Sequence, residues 1–197
     1  MNLHQLAAER RTLVVECCDG VVRDRLLSSL AEHHGYTVGR APRELPHLDP
    51  VRPYREILQQ GGALVVDAHL VGELVYGPLR RGHSRVSWIQ AFDFADALAE
   101  RHGAFVHVRA PVAVLEDRMA ARGGPAADLP EIAAAVTAFE SAFRTLAQHA
   151  PVVTVDENPL TGPGGGPSDL AVALPVSSLA RRLPRIRSPV SLFAQPR

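Results

Sequence analysis

One stretch near the start of the chain has the residue types and spacing of a phosphate-binding loop. Residues 12–25 read Thr-Leu-Val-Val-Glu-Cys-Cys-Asp-Gly-Val-Val-Arg-Asp-Arg, a short apolar strand, an Asp-Gly turn and the start of a helix. Loops of this kind close backbone N–H groups around phosphate oxygens, and a Lys and a Ser or Thr follow. We therefore predict a nucleotide phosphate site formed by Asp19, Gly20, Val21, Val22, Arg23 and Asp24.

Three positions of this loop depart from the pattern. Val22 stands where a second Gly is expected, Arg23 where Lys is expected, and Asp24 where Ser or Thr binds Mg²⁺. All 21 basic residues are Arg, so no lysine elsewhere can substitute. A guanidinium is a planar fork rather than a point charge, and a carboxylate at this end of a helix repels a triphosphate. Two interpretations stay open: an altered phosphate site, or an internal ion-pair cluster of Arg23 and Arg25 with Asp19 and Asp24.

Asp67 ends a continuous apolar run, 63–66, that is typical of a buried parallel strand. Ligands bind outside the carboxyl ends of such strands. A carboxylate there can hold Mg²⁺ or accept a proton from an attacking oxygen, or it can cap the next helix. If the chain is an enzyme, we expect Asp67 and Arg23 to be its catalytic residues.

The segment 69–85 combines a His, a Tyr and several Arg directly after Asp67. A tyrosine can stack on a base, and arginines can hold phosphate. We predict an acceptor-binding site at His69, Tyr76, Arg81 and Arg85. The alternative is a solvated Arg surface with a packed Tyr. No His or Cys spacing predicts a metal site.

Arg118 and Arg122 lie four residues apart on one predicted helix, before the Gly-Gly-Pro of 123–125. Two arginines leading into a flexible segment are typical of a lid that closes on phosphates. The alternative is a helix end that favours cations, which pair with Glu116 or Asp117.

Strands and helices alternate along the first 156 residues. The predicted strands are 12–16, 36–38, 63–67, 104–108 and 152–155. The predicted helices are 22–33, 54–60, a short one within 69–76 that Gly77-Pro78 breaks, 86–102, 112–121 and 130–148. This order predicts a three-layer α/β/α sandwich with a five-stranded parallel sheet.

The composition divides the chain into three parts. Residues 1–156 form the predicted domain, 157–168 a Pro/Gly-rich linker, and 169–197 a tail with five Arg and one Asp. A Pro-rich, extended segment loses little entropy on binding, so we interpret the tail as a docking segment for a protein partner.

Charge and hydropathy disfavour several classes of protein. The net charge of +0 argues against bulk attraction to nucleic acid. Apolar runs are too short to span a bilayer, and 1–11 lacks a signal-peptide core. The two adjacent cysteines cannot form a disulfide framework. We expect a cytoplasmic protein without a membrane partner.

With these residues assembled, the chain resembles the thymidylate kinase-like branch of the P-loop nucleoside-monophosphate kinases over about 11–156. Glu16, Asp19 and Gly20 match the family's Glu-x-x-Asp-Gly-x-Gly-Lys-Thr loop. Asp67 matches its Asp-Arg motif after the third strand, although Ala68 replaces the arginine that contacts phosphate. The text of 69–78 and Arg81-Gly82 is similar to the downstream motifs, and the Arg118–Arg122 pair is similar to the lid.

The resemblance implies two functions, which stay open at this point. The favoured one is a degenerate relative without phosphoryl transfer, which acts as a binding or scaffolding subunit. Its partners would be a protein at the tail, a second copy, or an active paralogue. The alternative is an active (deoxy)nucleotide kinase that uses ATP and Mg²⁺ to phosphorylate a nucleoside monophosphate such as dTMP. A nucleic-acid accessory role is the weakest interpretation.

Overall fold

The computed structural model describes residues 1–18, 20–42, 46, 48–121 and 129–156. The predictions for Asp19, Arg122, the linker and the tail concern residues outside these ranges. The side chain of Val21 is also outside the description.

Five strands form one parallel sheet in the order β2-β3-β1-β4-β5. The strands are β1 Leu13–Cys17, β2 Thr37–Arg40, β3 Leu64–Asp67, β4 Ala104–Arg109 and β5 Val152–Asp156. The register places Asp67 beside Val15 of β1 and Arg40 of β2. The predicted fold class, an α/β sandwich with a five-stranded parallel sheet, is confirmed.

Seven helices connect and cover the strands within the described ranges. They are α1 Leu3–Ala8, α2 Gly20–His34, α3 Arg52–Leu58, α4 Leu70–Arg81, α5 Trp88–Glu100, α6 Val112–Ala121 and α7 Leu129–Leu146. None of the helices in the described part of the chain is long and apolar enough to cross a membrane.

The alternation of side chains along β1 creates two cores, one on each face of the sheet. Leu13 and Val15 pack with buried residues of α1 and α2. Val14 packs on the opposite face with buried residues of α3, α4, α5 and α7. Because the two faces are covered by different helices, the loops after neighbouring strands diverge at the edge of the sheet.

Helix α1 was not among the predicted elements. The side chain of Asn2 accepts the Gln5 backbone N–H at 2.9 Å, and the Gln5 side chain accepts the Asn2 N–H at 3.0 Å. This reciprocal capping box satisfies two N–H groups that a helix start leaves unpaired. The Asn-x-x-Gln spacing before the buried Leu6 was the available sequence signal.

Helix α4 continues through Gly77 and Pro78, where a break was predicted, and ends at Gly82 in the left-handed region with φ 76°. A proline inside a helix costs about 3 kcal/mol, because it lacks an N–H and crowds the preceding turn. Tertiary packing outweighs that cost. The buried residues of α4 are Leu70, Val71, Leu74, Val75 and Gly77.

Candidate functional site

A cleft of about 510 Å³ lies at the carboxyl edge of the sheet. The adjacent strands β1 and β3 send their following helices, α2 and α4, to opposite faces of the sheet. Such a divergence opens a crevice outside the strand ends, which is the usual ligand site of an open α/β sheet. The lining residues are Arg23, Asp24, Arg40, Ala41, Asp67 and His69.

Asp67 is the centre of this cleft, and only 8% of the residue is exposed. Arg23 Nε lies 3.0 Å from Asp67 Oδ1, and Arg40 Nε lies 3.7 Å from Asp67 Oδ2. His69 Nε2 lies 3.9 Å from Asp67 Oδ1. Three nitrogen-bearing side chains from α2, β2 and the β3–α4 connection thus converge on one carboxylate.

Arg23 also contacts His69, with a guanidinium nitrogen 3.2 Å from Nδ1. An arginine can only donate, so Nδ1 must accept and the ring proton lies on Nε2. The imidazole N–H is therefore on the side of the ring nearer to Asp67.

The contact between Arg23 and Asp67 is a charge contact rather than a hydrogen bond. Arg23 Nε and Asp67 Oδ1 are both buried, and neither has a hydrogen-bond partner in the structure. Asp24 adds a more distant charge, since its carboxylate is 3.6 Å from the guanidinium and 64% exposed. The hydrogen-bonding capacity of two buried atoms at the cleft floor is therefore unused.

The segment predicted to wrap phosphate is mostly helix. Strand β1 ends at Cys17 and α2 begins at Gly20, so positions 18 and 19 alone connect them. Val22, in the place of the second glycine, is 6% exposed and packs in the core with Leu26 and Leu27. The backbone from Gly20 onward is in the helical first turns of α2.

Glu16, at the end of β1, caps the next helix across the sheet. Its carboxyl accepts the backbone N–H groups of Val71 at 2.8 Å and Gly72 at 3.2 Å, in the first turn of α4. Burial raises the pKa of Glu16 to about 8, although both N–H groups and the charge of Arg23 favour the ionised form. A protein carboxyl thus occupies the helix end that could otherwise face an anion.

Tyr76 lies at the interface of α4 and α7 and does not line the cleft. Its hydroxyl donates to the carbonyl of Cys18 at 3.2 Å, and its ring contacts Phe139 edge-on at 5.8 Å. Arg80 lies over the ring at 4.5 Å and pairs with Glu131 of α7 at 2.7 Å. Burial raises the pKa of Tyr76 above its ordinary value.

The predicted acceptor residues Arg81 and Arg85 also lie outside the cleft lining. Arg81 forms an ion pair with Glu73, and the backbone N–H of Arg85 donates to the same carboxylate at 2.8 Å. This carboxylate ties the end of α4 to the loop that follows it. Arg118 is half-buried in the last turn of α6.

Arg40 was missed by the sequence analysis. The second strand was predicted to end at residue 38, whereas β2 continues to Arg40 and pairs it with Asp67. A longer strand with the third strand as its neighbour would have placed this arginine at the carboxyl edge. Within the described ranges, no cluster of three or more His, Cys, Asp or Glu side chains could hold a metal ion.

No family model matches the chain, and a search of curated proteins finds no match. Among solved structures, the chain is similar to the YorR protein from Bacillus subtilis, which was crystallised in complex with phosphorylated GDP. The two are 12% identical with a TM-score of 0.61, over 74% of this chain and 85% of YorR. The likeness shows the fold: this is a P-loop NTPase-like, kinase-like architecture.

Proposed function

We propose that this chain is a kinase-fold protein that does not transfer phosphoryl groups and acts as a binding or scaffolding subunit of a complex. The observation that carries the proposal is the position of Arg23, which stands in the place of the phosphate-loop lysine. Its guanidinium is held between Asp67, at 3.0 Å, and His69, at 3.2 Å. A cation in this position is directed to internal partners rather than to donor phosphates.

The backbone of the loop supports the same proposal. Enzymatic phosphoryl transfer depends almost entirely on positioning and on stabilising charge. A connection of positions 18 and 19 is too short to wrap a triphosphate, and Val22 is used for packing. We infer that neither the backbone cradle nor the loop cation is available for catalysis.

The alternative is an active nucleotide kinase that transfers phosphate from Mg-ATP to a nucleoside monophosphate such as dTMP. The open cleft beside Asp67 favours it, because this carboxylate lies where a base or a metal ligand would act. Since YorR was crystallised with phosphorylated GDP, guanine nucleotides belong among the acceptors tested.

A phosphoryl-transfer assay on the full chain separates the two. Mg-ATP is supplied with dTMP or GMP, and product is compared for the unmodified chain, Arg23→Ala and Arg25→Ala. Arg25 is exposed on the same helix and provides the same loss of charge. We expect no product from any of them. Turnover that Arg23→Ala abolishes and Arg25→Ala retains would establish the kinase.

The partner is proposed to be a protein that docks on 169–197, or a second kinase-fold chain in a homodimer or a heterodimer with an active paralogue. The five arginines of that segment favour an acidic partner surface.

A further inference from the structure

We propose that the cleft is an oxyanion site for a single phosphoryl group, formed by Arg23, Arg40 and His69, and that Asp67 holds the place of that group in the free protein. The inference names a ligand class for the cleft of the proposed function and rests on that function only for the absence of catalysis.

The convergence of the three side chains is the first argument. They come from α2, β2 and the β3–α4 connection, and all lie within 4 Å of the Asp67 carboxylate. Each presents an N–H, and arginines in particular are suited to binding phosphate oxygens. An internal anion is what keeps such a group of donors together when no ligand is bound.

The imperfect fit of that anion is the second argument. Arg23 Nε and Asp67 Oδ1 are buried 3.0 Å apart without a hydrogen bond. Buried polar atoms are nearly always hydrogen-bonded, so this pair is an exception that requires an explanation. A planar carboxylate on a strand end offers two oxygens to three donors, whereas a phosphoryl group offers three oxygens in a tetrahedral arrangement.

The surroundings of the cleft limit the ligand to one phosphoryl group. The short β1–α2 connection and the packed Val22 provide no cradle for the second and third phosphates of a nucleotide. The side chain of Arg40 is 71% exposed, so it can reorient toward an incoming anion at the mouth of the cleft.

The charges predict weak binding to the unmodified protein. Asp24 and Asp67 offset the two arginines of the lining, and an entering phosphate must displace the Asp67 carboxylate from its contacts. Neutralising Asp67 therefore removes both the competitor and a repulsive charge close to the ligand.

The test is a titration of Asp67→Asn with inorganic phosphate at constant ionic strength, read by calorimetry. We expect binding about tenfold or more tighter than in the unmodified protein. Asp24→Asn is the matched control, since it removes the same charge from the cleft wall without freeing the three donors. Its gain is expected to stay below about threefold. Equal gains in the two variants, or none in Asp67→Asn, would overturn the proposal.

Removing one donor provides a second test. Arg40→Ala in the Asp67→Asn background should cancel the gain, while Arg52→Ala, an exposed arginine outside the cleft, should not. Retention of the gain without Arg40 contradicts the proposed donor set. dTMP should gain by the same factor as phosphate, since the phosphoryl group is the part recognised. A gain with dTMP alone would show nucleoside recognition and overturn the proposal.

Stability provides the reading if Asp67→Asn folds poorly. Phosphate should then restore its circular dichroism spectrum, because it replaces the missing anion. Failure of phosphate to restore the fold contradicts the proposal. All these readings measure binding without turnover, so a positive kinase assay would refute the proposed function and leave this result standing.

Discussion

The carboxyl of Glu16 is fully buried and still faces two backbone N–H donors from α4. Burial disfavours the charged form more than these donors favour it, which is why the pKa rises to about 8. The carboxyl thus joins strand β1 to a helix that begins 54 positions later, and it links the two walls of the cleft. A substitution here changes stability and the alignment of α4 together.

The unfolded chain releases the Glu16 proton near pH 4.5, whereas the folded chain keeps it up to about pH 8. The stability that this proton contributes is therefore complete at low pH and is lost as the pH rises through that window. We expect Glu16→Gln to reduce the fall in unfolding free energy between pH 5 and 8, at most about 1.4 kcal/mol per pH unit. Urea melts across this pH range measure it.

Glu32→Gln, on the exposed surface of α2, is the control for this substitution. It should leave the pH dependence of the unmodified protein in place. A steep fall with pH that persists in Glu16→Gln would show that another group is responsible.

His107 is a second buried titratable residue, and its role is packing. It stacks on Phe143 at 4.3 Å in the middle of β4. Burial, together with the charge of Arg109, lowers the pKa of His107 to about 4. The ring is therefore neutral at physiological pH and belongs to the aromatic core rather than to a proton-transfer site.

Helix α4 shows how packing overrides local sequence preference. Its start is held by Glu16, and its end is held by Glu73, which binds both Arg81 and the backbone of Arg85. With both ends tied, the helix continues through a Gly-Pro pair that would break an isolated helix.

Gly77 and Gly72 lie in this helix but differ in the space around them. A Cβ at Gly77 would be 2.9 Å from the backbone of His83 and Ser84, whereas one at Gly72 would meet only Glu16 at 3.6 Å. We expect Gly77→Ala to destabilise the protein by about 1–3 kcal/mol, because backbone must move. Gly72→Ala should be neutral or stabilising by up to about 1 kcal/mol. Chemical denaturation of both variants measures the difference, and equal effects would contradict this account.

The folded body of the molecule is closed by strand β5, which pairs with β4 along its whole length. Val153 and Val155 of β5 are buried, and Asp156 pairs with Arg109 at 2.6 Å. The three-layer arrangement is thus complete at residue 156, the boundary predicted from composition.

A chain truncated to 1–156 should therefore keep its melting temperature within about 3 °C of the full chain. A chain truncated to 1–150 removes β5 and loses the burial of two valines, worth about 3–6 kcal/mol. That is a large part of the stability of a domain of this size. Scanning calorimetry of the three chains tests the boundary, and a large loss in 1–156 would contradict it.

The pattern of apolar runs and helical segments was sufficient to predict the fold class. Runs such as 63–66 are long enough to be buried strands, and the helices between them require parallel pairing. The Asp-Gly turn and the strand-end Asp67 likewise located the cleft, because carboxyl ends of parallel strands meet at one edge of the sheet.

The partners of the charged residues depended on the folded arrangement. Arg23 was considered with its sequence neighbours, yet it contacts Asp67, 44 positions away, and Arg40 enters the cleft only through the register of β2 with β3. Tyr76 and Arg81, which local spacing grouped with His69, contact Cys18 and Glu73 instead. Spacing along the chain specifies which residues share an element. Which charges meet is decided by the order of strands and by packing, through contacts between residues distant in sequence.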